Sequence, residues 1–204
     1  LGLKARVGGG LLTAAVFLID ARGEIVTHTN IGGRSTYQNV GRTRRRGLEL
    51  AWDHESAGHW RTQIAYTLLD ARYREPFCAP MPCTPASQVA AGNRIPGIAR
   101  QVLHAGLGWM PPQGWHAGAA LQVLSGVYAN DRNTARAPGH GLLSLHAGYR
   151  RQVGNWRLSA FARVDNALDR RAVGSVIVNE GNARYFEPAP GRNWTLGLSA
   201  VHAF

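Results

Sequence analysis

Apolar and polar residues alternate along much of the chain, which is the period of a β-strand with unlike environments on its two sides. The clearest stretch sets Trp156, Leu158, Ala160, Ala162 and Val164 on one face against Arg157, Ser159, Arg163 and Asp165, with Phe161 as the exception. The same split recurs with Trp60, Thr62, Ile64, Tyr66 and Leu68 against Arg61, Gln63 and Thr67, and with Leu48, Leu50 and Trp52 against Glu49 and Asp53. It recurs again with Trp115, Ala117, Ala119, Leu121 and Val123 against His116 and Gln122, and with Leu143, Leu145, Ala147 and Tyr149 against Ser144, His146 and Arg150. A soluble β-sandwich also alternates, so the pattern alone leaves the environment open.

Spacing between the alternating stretches narrows the choice. Turn signals fall at Gly8 to Gly10, Ser56 to His59, Pro111 to Gly114 and Val153 to Asn155, whereas Thr27 to Gly41, Arg72 to Gly97, Tyr128 to Gly141 and Asn166 to Arg192 read as long connections. A strict short, long, short, long order is the habit of an up-and-down outer-membrane barrel. Trp52, Trp60, Trp109, Trp115 and Trp156 all stand beside the short turns, where an aromatic girdle at the periplasmic interface belongs. The fold expected is all-β: an antiparallel up-and-down transmembrane β-barrel, here about nine strands. They are Leu1 to Val7, Leu11 to Val26, Gly41 to Glu55, Trp60 to Arg72, Ile98 to Met110, Trp115 to Val127, Gly141 to Gln152, Trp156 to Asp165 and Asn193 to Phe204. Bacterial single-chain barrels close with an even number, so further strands are expected before residue 1.

Composition changes this picture little. The longest uninterrupted apolar stretch, Ala14 to Ile19, is far shorter than the roughly 20 residues a membrane-spanning helix needs. The start, LGLKARVGGG, lacks both an initiator Met and a signal-peptide pattern, so the chain is expected to be a fragment. A net charge of +11 raises nucleic-acid binding as an alternative. That alternative needs one basic face, and Arg42, Arg44, Arg45 and Arg46 alternate between faces of one strand. Their outward members, near the outer rim, are placed to meet lipid phosphates and their inward ones to hold Glu49 or the carboxylates of a plug inside the barrel. Cys78 and Cys83, in the Pro-rich FCAPMPCTP, read as a short-range disulfide in an oxidising compartment. No metal-ligand cluster, phosphate-cradling Gly loop or nucleophile elbow is present in the sequence, and the eight His residues are dispersed, so the expectation is no catalytic residue, no cofactor and no enzyme.

VDNALDRRAVGSV, with Asn166, Ala167, Leu168, Asp169 and Arg170, is similar to the Asn-Leu-Phe-Asp-Lys-x-Tyr stretch of the TonB-dependent outer-membrane receptors of the siderophore-receptor type, with Ala172 standing where Tyr is usual. EGNARYFEPAPGRNW resembles the final loop, and NWTLGLSAVHAF resembles a last strand whose terminal aromatic, Phe204, serves as the assembly signal, with His202 departing from the usual large apolar residue. Asn39 to Glu49, GNRIPGIARQ and SGVYANDRNTARAPGH agree with further family segments in order and spacing. Short polar Asn166 and Asp169 are expected to shape a turn.

The resemblance implies that residues 1–204 are the C-terminal part of a larger, roughly 22-stranded barrel, with the plug domain, the energy-coupling TonB box and the earlier strands lying upstream. It implies a receptor in the bacterial outer membrane that imports a ferric siderophore or similar bulky chelate. Its partners would be the TonB energy-coupling complex, outer-membrane lipid and lipopolysaccharide, and the barrel-assembly machinery, with no nucleic acid. The long loops would carry the ligand residues: Arg34, Tyr37, Arg72, Tyr73, Arg94, Tyr128, Arg132, Arg136, Arg184 and Tyr185. Cations steer anions and aromatic rings stack on flat chelates, which suits such a cargo. A passive porin or adhesin barrel shares every strand-level feature but lacks a plug, and a soluble basic β-protein would dissolve without detergent.

Overall fold

A computed structural model of the chain describes residues 1–78 and 83–203. In chain order the strands are β1 (Gly2–Val7), β2 (Gly10–Ile31), β3 (Arg34–Glu55), β4 (Trp60–Tyr73), β5 (Phe77–Cys78), β6 (Gln88–Val89), β7 (Gln101–Trp109), β8 (Gly114–Leu124), β9 (Val127–Tyr128), β10 (Arg136–Ala137), β11 (His140–Val153), β12 (Trp156–Asp165), β13 (Val173–Val176), β14 (Phe186–Pro188) and β15 (Asn193–His202). Nine of them form one antiparallel sheet in the order β1-β2-β3-β4-β7-β8-β11-β12-β15, an up-and-down meander in which every neighbour is the next long strand. The sheet is open, with β1 and β15 at its edges. The short pairs β5/β6, β9/β10 and β13/β14 are small ribbons, one inside each of three long connections. Phe204 lies outside the described residues.

Register shows that the alternation is real. Trp52 pairs with Ile64, Leu50 with Tyr66 and Leu48 with Leu68, while Leu145 pairs with both Ala119 and Val164, so apolar residues from successive strands share one face. The other face carries Glu49 opposite Thr67, His104 opposite Gln122 and Arg163 opposite Thr195. Among the described residues no second sheet covers the apolar side: Trp115 and Leu198 are 66% and 88% exposed. At about 25 cal/mol per Å², a side of this kind left in water is strongly unfavourable, and a hydrocarbon surrounding removes that penalty. Five of the six tryptophans stand at the short-turn end, where Trp60 pairs with Trp109, Trp115 meets the Tyr149 ring edge-on at 5.3 Å and Trp52 donates its indole N–H to the Val7 carbonyl at 3.0 Å; Trp194 stands at the other end, opposite Val164.

One expected loop is a hairpin instead. Residues 27–41 do not form an irregular connection; β2 and β3 run for 22 residues each, and their ladder continues to Ile31 opposite Arg34. Gly32 and Gly33, with φ of 57° and 78°, supply the paired left-handed conformations of a two-residue hairpin turn. A strand of that length reaches roughly 70 Å, whereas a tilted strand crosses a bilayer in about 9–11 residues, so the hairpin projects well beyond the apolar band. The alternation also reverses within it. Gly23 has φ of 64°, and beyond it Glu24 bonds Thr43 and Arg45 on the inner face, although Asp20 and Arg22 lie on the outer one. Arg45 therefore pairs with Glu24 and not with Glu49, one of the two partners expected for the inward arginines.

Buried hydrophobic residues gather at the long-loop end of the inner face. Val26, Val40, Ala71, Tyr73, Val89 and Ile95 form this core, with Leu69, Phe77 and Ile98 packed against it. Loops folded inward over β2, β3 and β4 therefore hold the mouth in shape.

Candidate functional site at the loop mouth

The mouth is built around a buried carboxylate. Asp131, 2% exposed, accepts a hydrogen bond from the Tyr73 hydroxyl at 2.6 Å and one from Nδ2 of Asn179 at 2.8 Å. Its backbone N–H donates to Oδ1 of Asn179 at 3.1 Å, and its carbonyl accepts from Asn93 at 2.9 Å. Nδ2 of Asn179 also donates to the Thr27 carbonyl at 2.6 Å. One aspartate thus joins the end of β4, the projecting hairpin and three long connections. Burial pushes the Asp131 carboxyl above its ordinary value of 3.8, opposed by the bonds from Tyr73 and Asn179 and by the nearby His28.

Backbone pairing reinforces the assembly. Residues 92–95 lie along the end of β4: the Gly92 and Ile95 N–H groups donate to the Tyr73 and Ala71 carbonyls at 2.8 and 3.1 Å, and Arg72 and Arg94 form a bridge. Asn133, at φ 58°, clasps the Arg94 backbone from both sides, accepting from its N–H and donating to its carbonyl, each at 2.8 Å. Asn179, at φ 55°, accepts from the Asn30 N–H at 3.1 Å through its own carbonyl. Asn tolerates these left-handed conformations better than most residues, which is why it recurs here.

The expected ligand residues fall into different places. Arg132, Arg136 and Arg184 are exposed on the long connections, and the Arg136 guanidinium sits 5.6 Å from the centre of the Tyr128 ring. Tyr185 meets Phe186 edge-on at 6.1 Å. Arg34 and Tyr37 are exposed but stand on the hairpin and not on a loop, because the ladder extends past them. Arg72 is committed to Asp70 at 2.9 Å and to the Gly92 carbonyl at 2.8 Å, and Arg94 is held through its backbone. Tyr73 is a correction: it is the last residue of β4, 1% exposed, and its hydroxyl is spent on Asp131, so its ring is not offered to a ligand. The loops that close over β4 bury it.

Asp131, Asn179, Asn93 and Asn133 were not among the residues singled out from sequence. Asn166 and Asp169, at φ 49° and 50°, shape the turn after β12: Oδ1 of Asn166 accepts from the Arg170 N–H at 2.8 Å, and Oδ1 of Asp169 accepts from the Arg192 N–H at 2.9 Å. Cys78 and Cys83 are joined in a disulfide, their Cα atoms 5.3 Å apart, within the connection between β4 and β7. Among the described residues, no three His, Cys, Asp or Glu side chains converge as a metal site.

Residues 1–167 match the family described as TonB dependent receptor-like, beta-barrel. The chain is 27% identical over 179 residues to the ferrioxamine B receptor of Salmonella typhimurium, covering 84% of this chain and 24% of that receptor, so it spans about a quarter of that relative's length. Among solved structures it resembles the siderophore receptor PiuA of Acinetobacter baumannii with a TM-score of 0.76 at 25% identity, over 97% of this chain and 27% of that one. It also resembles BauA, the ferric preacinetobactin receptor of Acinetobacter baumannii, with a TM-score of 0.72 at 20% identity, over 98% and 28%.

Proposed function

The chain belongs to the TonB-dependent receptor-like β-barrel family, and from that premise we propose that it is the C-terminal barrel wall of an outer-membrane receptor importing an anionic ferric chelate. The observation that carries this reading is the polarity of the sheet. An apolar band is bounded at one end by tryptophans and short turns, and at the other by loops tied into one assembly that exposes Arg132, Arg136 and Arg184. In this reading the chelate arrives at the loop mouth, is drawn by the guanidiniums and stacked against Tyr128 or Tyr185, and is released inward when the TonB complex acts on the upstream plug. No side chain of the mouth is asked to do chemistry. The family match favours this over a passive porin or adhesin, and the Arg-rich strand, with its guanidiniums paired to carboxylates on two faces, offers no continuous stripe for nucleic acid.

Charge supplies the test. A ferric tris-catecholate carries a net charge of −3, because three dianionic ligands surround Fe³⁺, whereas a ferric tris-hydroxamate is neutral. Cells carrying the intact receptor with Arg132 and Arg136 replaced by Ala are expected to bind the catecholate chelate about tenfold more slowly at low salt, with a smaller change for the hydroxamate. The difference should shrink at physiological salt, where the screening length is about 8 Å. Replacement of Arg61 and Arg157, near the short turns, should leave association unchanged. Equal association by all variants at normal receptor abundance would refute capture by the mouth arginines.

A further inference from the structure

Beside the ribbon that carries Arg136, the loops and the inner wall share a cavity of about 290 Å³. Leu124 and His140, a register pair on the inward faces of β8 and β11, line it from the sheet. Val127 and Ala137, paired in β9/β10, and Val173 and Val176 of β13 line it from the ribbons. Close backbone approach fixes these walls: a methyl group added at Gly139 would come 2.6 Å from the Leu124 carbonyl oxygen, and one at Gly174 would come 2.9 Å from Cα of Ala189. The lining is apolar apart from three side chains. The Ser175 hydroxyl is committed to Glu187. Oγ of Ser125 accepts the Gln101 N–H at 3.0 Å, which leaves its own proton to donate. His140 differs from both, because its Nδ1 is buried and has no hydrogen-bond partner among the described residues. A buried polar atom left unpaired is rare in a folded protein and marks a place where a further group belongs. One water takes up about 30 Å³ and would leave most of this apolar volume empty. No Asp, Glu, Lys or Arg side chain among the described residues lines the cavity, so an ionised occupant would lose its hydration without compensation.

We propose that this cavity binds a neutral phenolic ring, which donates its hydroxyl to Nδ1 of His140 and accepts from Ser125. Size sets the class. A dry apolar cavity of about 150 Å³ takes one benzene molecule, whereas drug-sized ligands fill about 300–1,000 Å³. The volume here therefore admits one substituted ring and not an entire ferric chelate. Neutral walls select the protonated phenol over its anion, and an imidazole nitrogen with its other nitrogen protonated accepts best from a strong donor, which a phenol is and an alkanol is not. Arg136 immediately precedes Ala137, so the cavity adjoins an arginine assigned above to capture. The inference deepens the receptor reading and rests on it for the origin of the ring, which is either an arm of the cargo or a free phenol of the same chemistry.

The test titrates the full receptor in phosphatidylcholine nanodiscs with para-fluorophenol and with para-fluorotoluene, read by fluorine NMR, with empty nanodiscs as the baseline for partition into lipid. Wild type is expected to bind the phenol saturably, with a Kd on the order of 1 mM or below, and about tenfold more tightly than the toluene, the effect of one hydrogen bond. H140F should lose that preference while binding the toluene within about twofold of wild type, which a collapsed cavity would not do. A99F, which fills the cavity from a lining position, should weaken both probes by about tenfold or more. Absence of saturable phenol binding by wild type, or an H140F variant that keeps the preference, overturns the proposal. If A99F does not assemble, the two probes on wild type and H140F decide. Displacement of the fluorophenol by a ferric chelate bearing a phenol arm supports the pocket and makes the ring part of the cargo; simultaneous binding of both supports it as a site for a free phenol. Chelate association in the R132A/R136A variant reports on the receptor reading by itself, and a receptor that captures chelate but binds no phenol defeats this inference alone.

Discussion

Replacing Asp131 by Ala in the intact receptor is expected to unfasten the mouth without unfolding the barrel. The carboxylate is the acceptor for the Tyr73 hydroxyl and the Asn179 amide, both in a buried setting, so its removal strands two donors. An orphaned buried polar group costs about 1–3 kcal/mol, which puts the combined local loss near 3 kcal/mol, or roughly a hundredfold in the opening equilibrium. Amide hydrogen exchange of residues 92–95 and 179–181 should speed by that order, while the ladders of β7, β8 and β11 keep their protection. Tyr73→Phe removes one donor and should cost about half as much.

The same residue sets a pH dependence whose sign can be worked out. Burial raises the folded-state pKa of Asp131 above its ordinary value of 3.8, so between those two values the native assembly binds the proton more often than the opened one. The stabilising contribution is complete below 3.8 and is lost as pH rises through the raised folded value. Protection of the mouth, corrected for intrinsic exchange, should fall across that window and level off above it. Asp131→Asn should flatten the profile, at the cost of one bond, because its amide nitrogen would face the Asn179 donor. A wild-type profile that is flat, or that rises with pH, would show that the carboxylate is not the linked group.

The barrel wall was legible in the sequence because period-two alternation is a direct imprint of a sheet with unlike faces. The bounds of β12 were legible to the residue, and Trp52, Trp60, Trp109, Trp115 and Trp156 marked the short-turn end from their positions alone. The projecting part of β2 and β3 was not legible, for a local reason. The phase reverses at Gly23, and the pairing slips between Thr27 and Thr29, so the alternation is broken twice within a few residues and reads as irregular chain. Tyr73 shows a different limit. Its place at the end of a strand gives no sign of depth, which depends on residues 92–95 and on Asp131 folding back across it. Asp131 and Asn179 were hidden because Asp and Asn look alike in a loop sequence whether they shape their own turn, as Asn166 does, or tie distant segments together. The exposed placement of Arg132, Arg136 and Arg184 on the long connections was legible, because topology supplies it.

The inner wall is smoothed by rings lying over glycines, and this sets the second large effect. Phe17 lies across Gly47, His146 across Gly118, His116 across Gly148 and Phe161 across Gly197, which is how Phe161 sits on the polar face without projecting far into the lumen. A methyl group at Gly47 would come 2.5 Å from Cζ of Phe17 and 2.7 Å from the Leu68 carbonyl oxygen. The ring can swing aside, but the Leu68 oxygen belongs to the β4 backbone and cannot retreat without disturbing the ladder. Gly47→Ala is therefore expected to cost about 1–3 kcal/mol by overpacking and to lower the fraction of receptor that resists unfolding by detergent at moderate temperature. Gly106 is the control. It lies on the same face of an interior strand, its nearest neighbours to an added methyl are 3.7 Å away or more, and Gly106→Ala should be neutral or stabilising by up to about 1 kcal/mol through lower unfolded-chain entropy. Adding Phe17→Ala to Gly47→Ala should recover only part of the loss, because the clash with the carbonyl remains. Full recovery in the double variant would assign the constraint to the ring alone; equal tolerance of Ala at Gly47 and Gly106 would show that the wall yields where the packing says it is rigid.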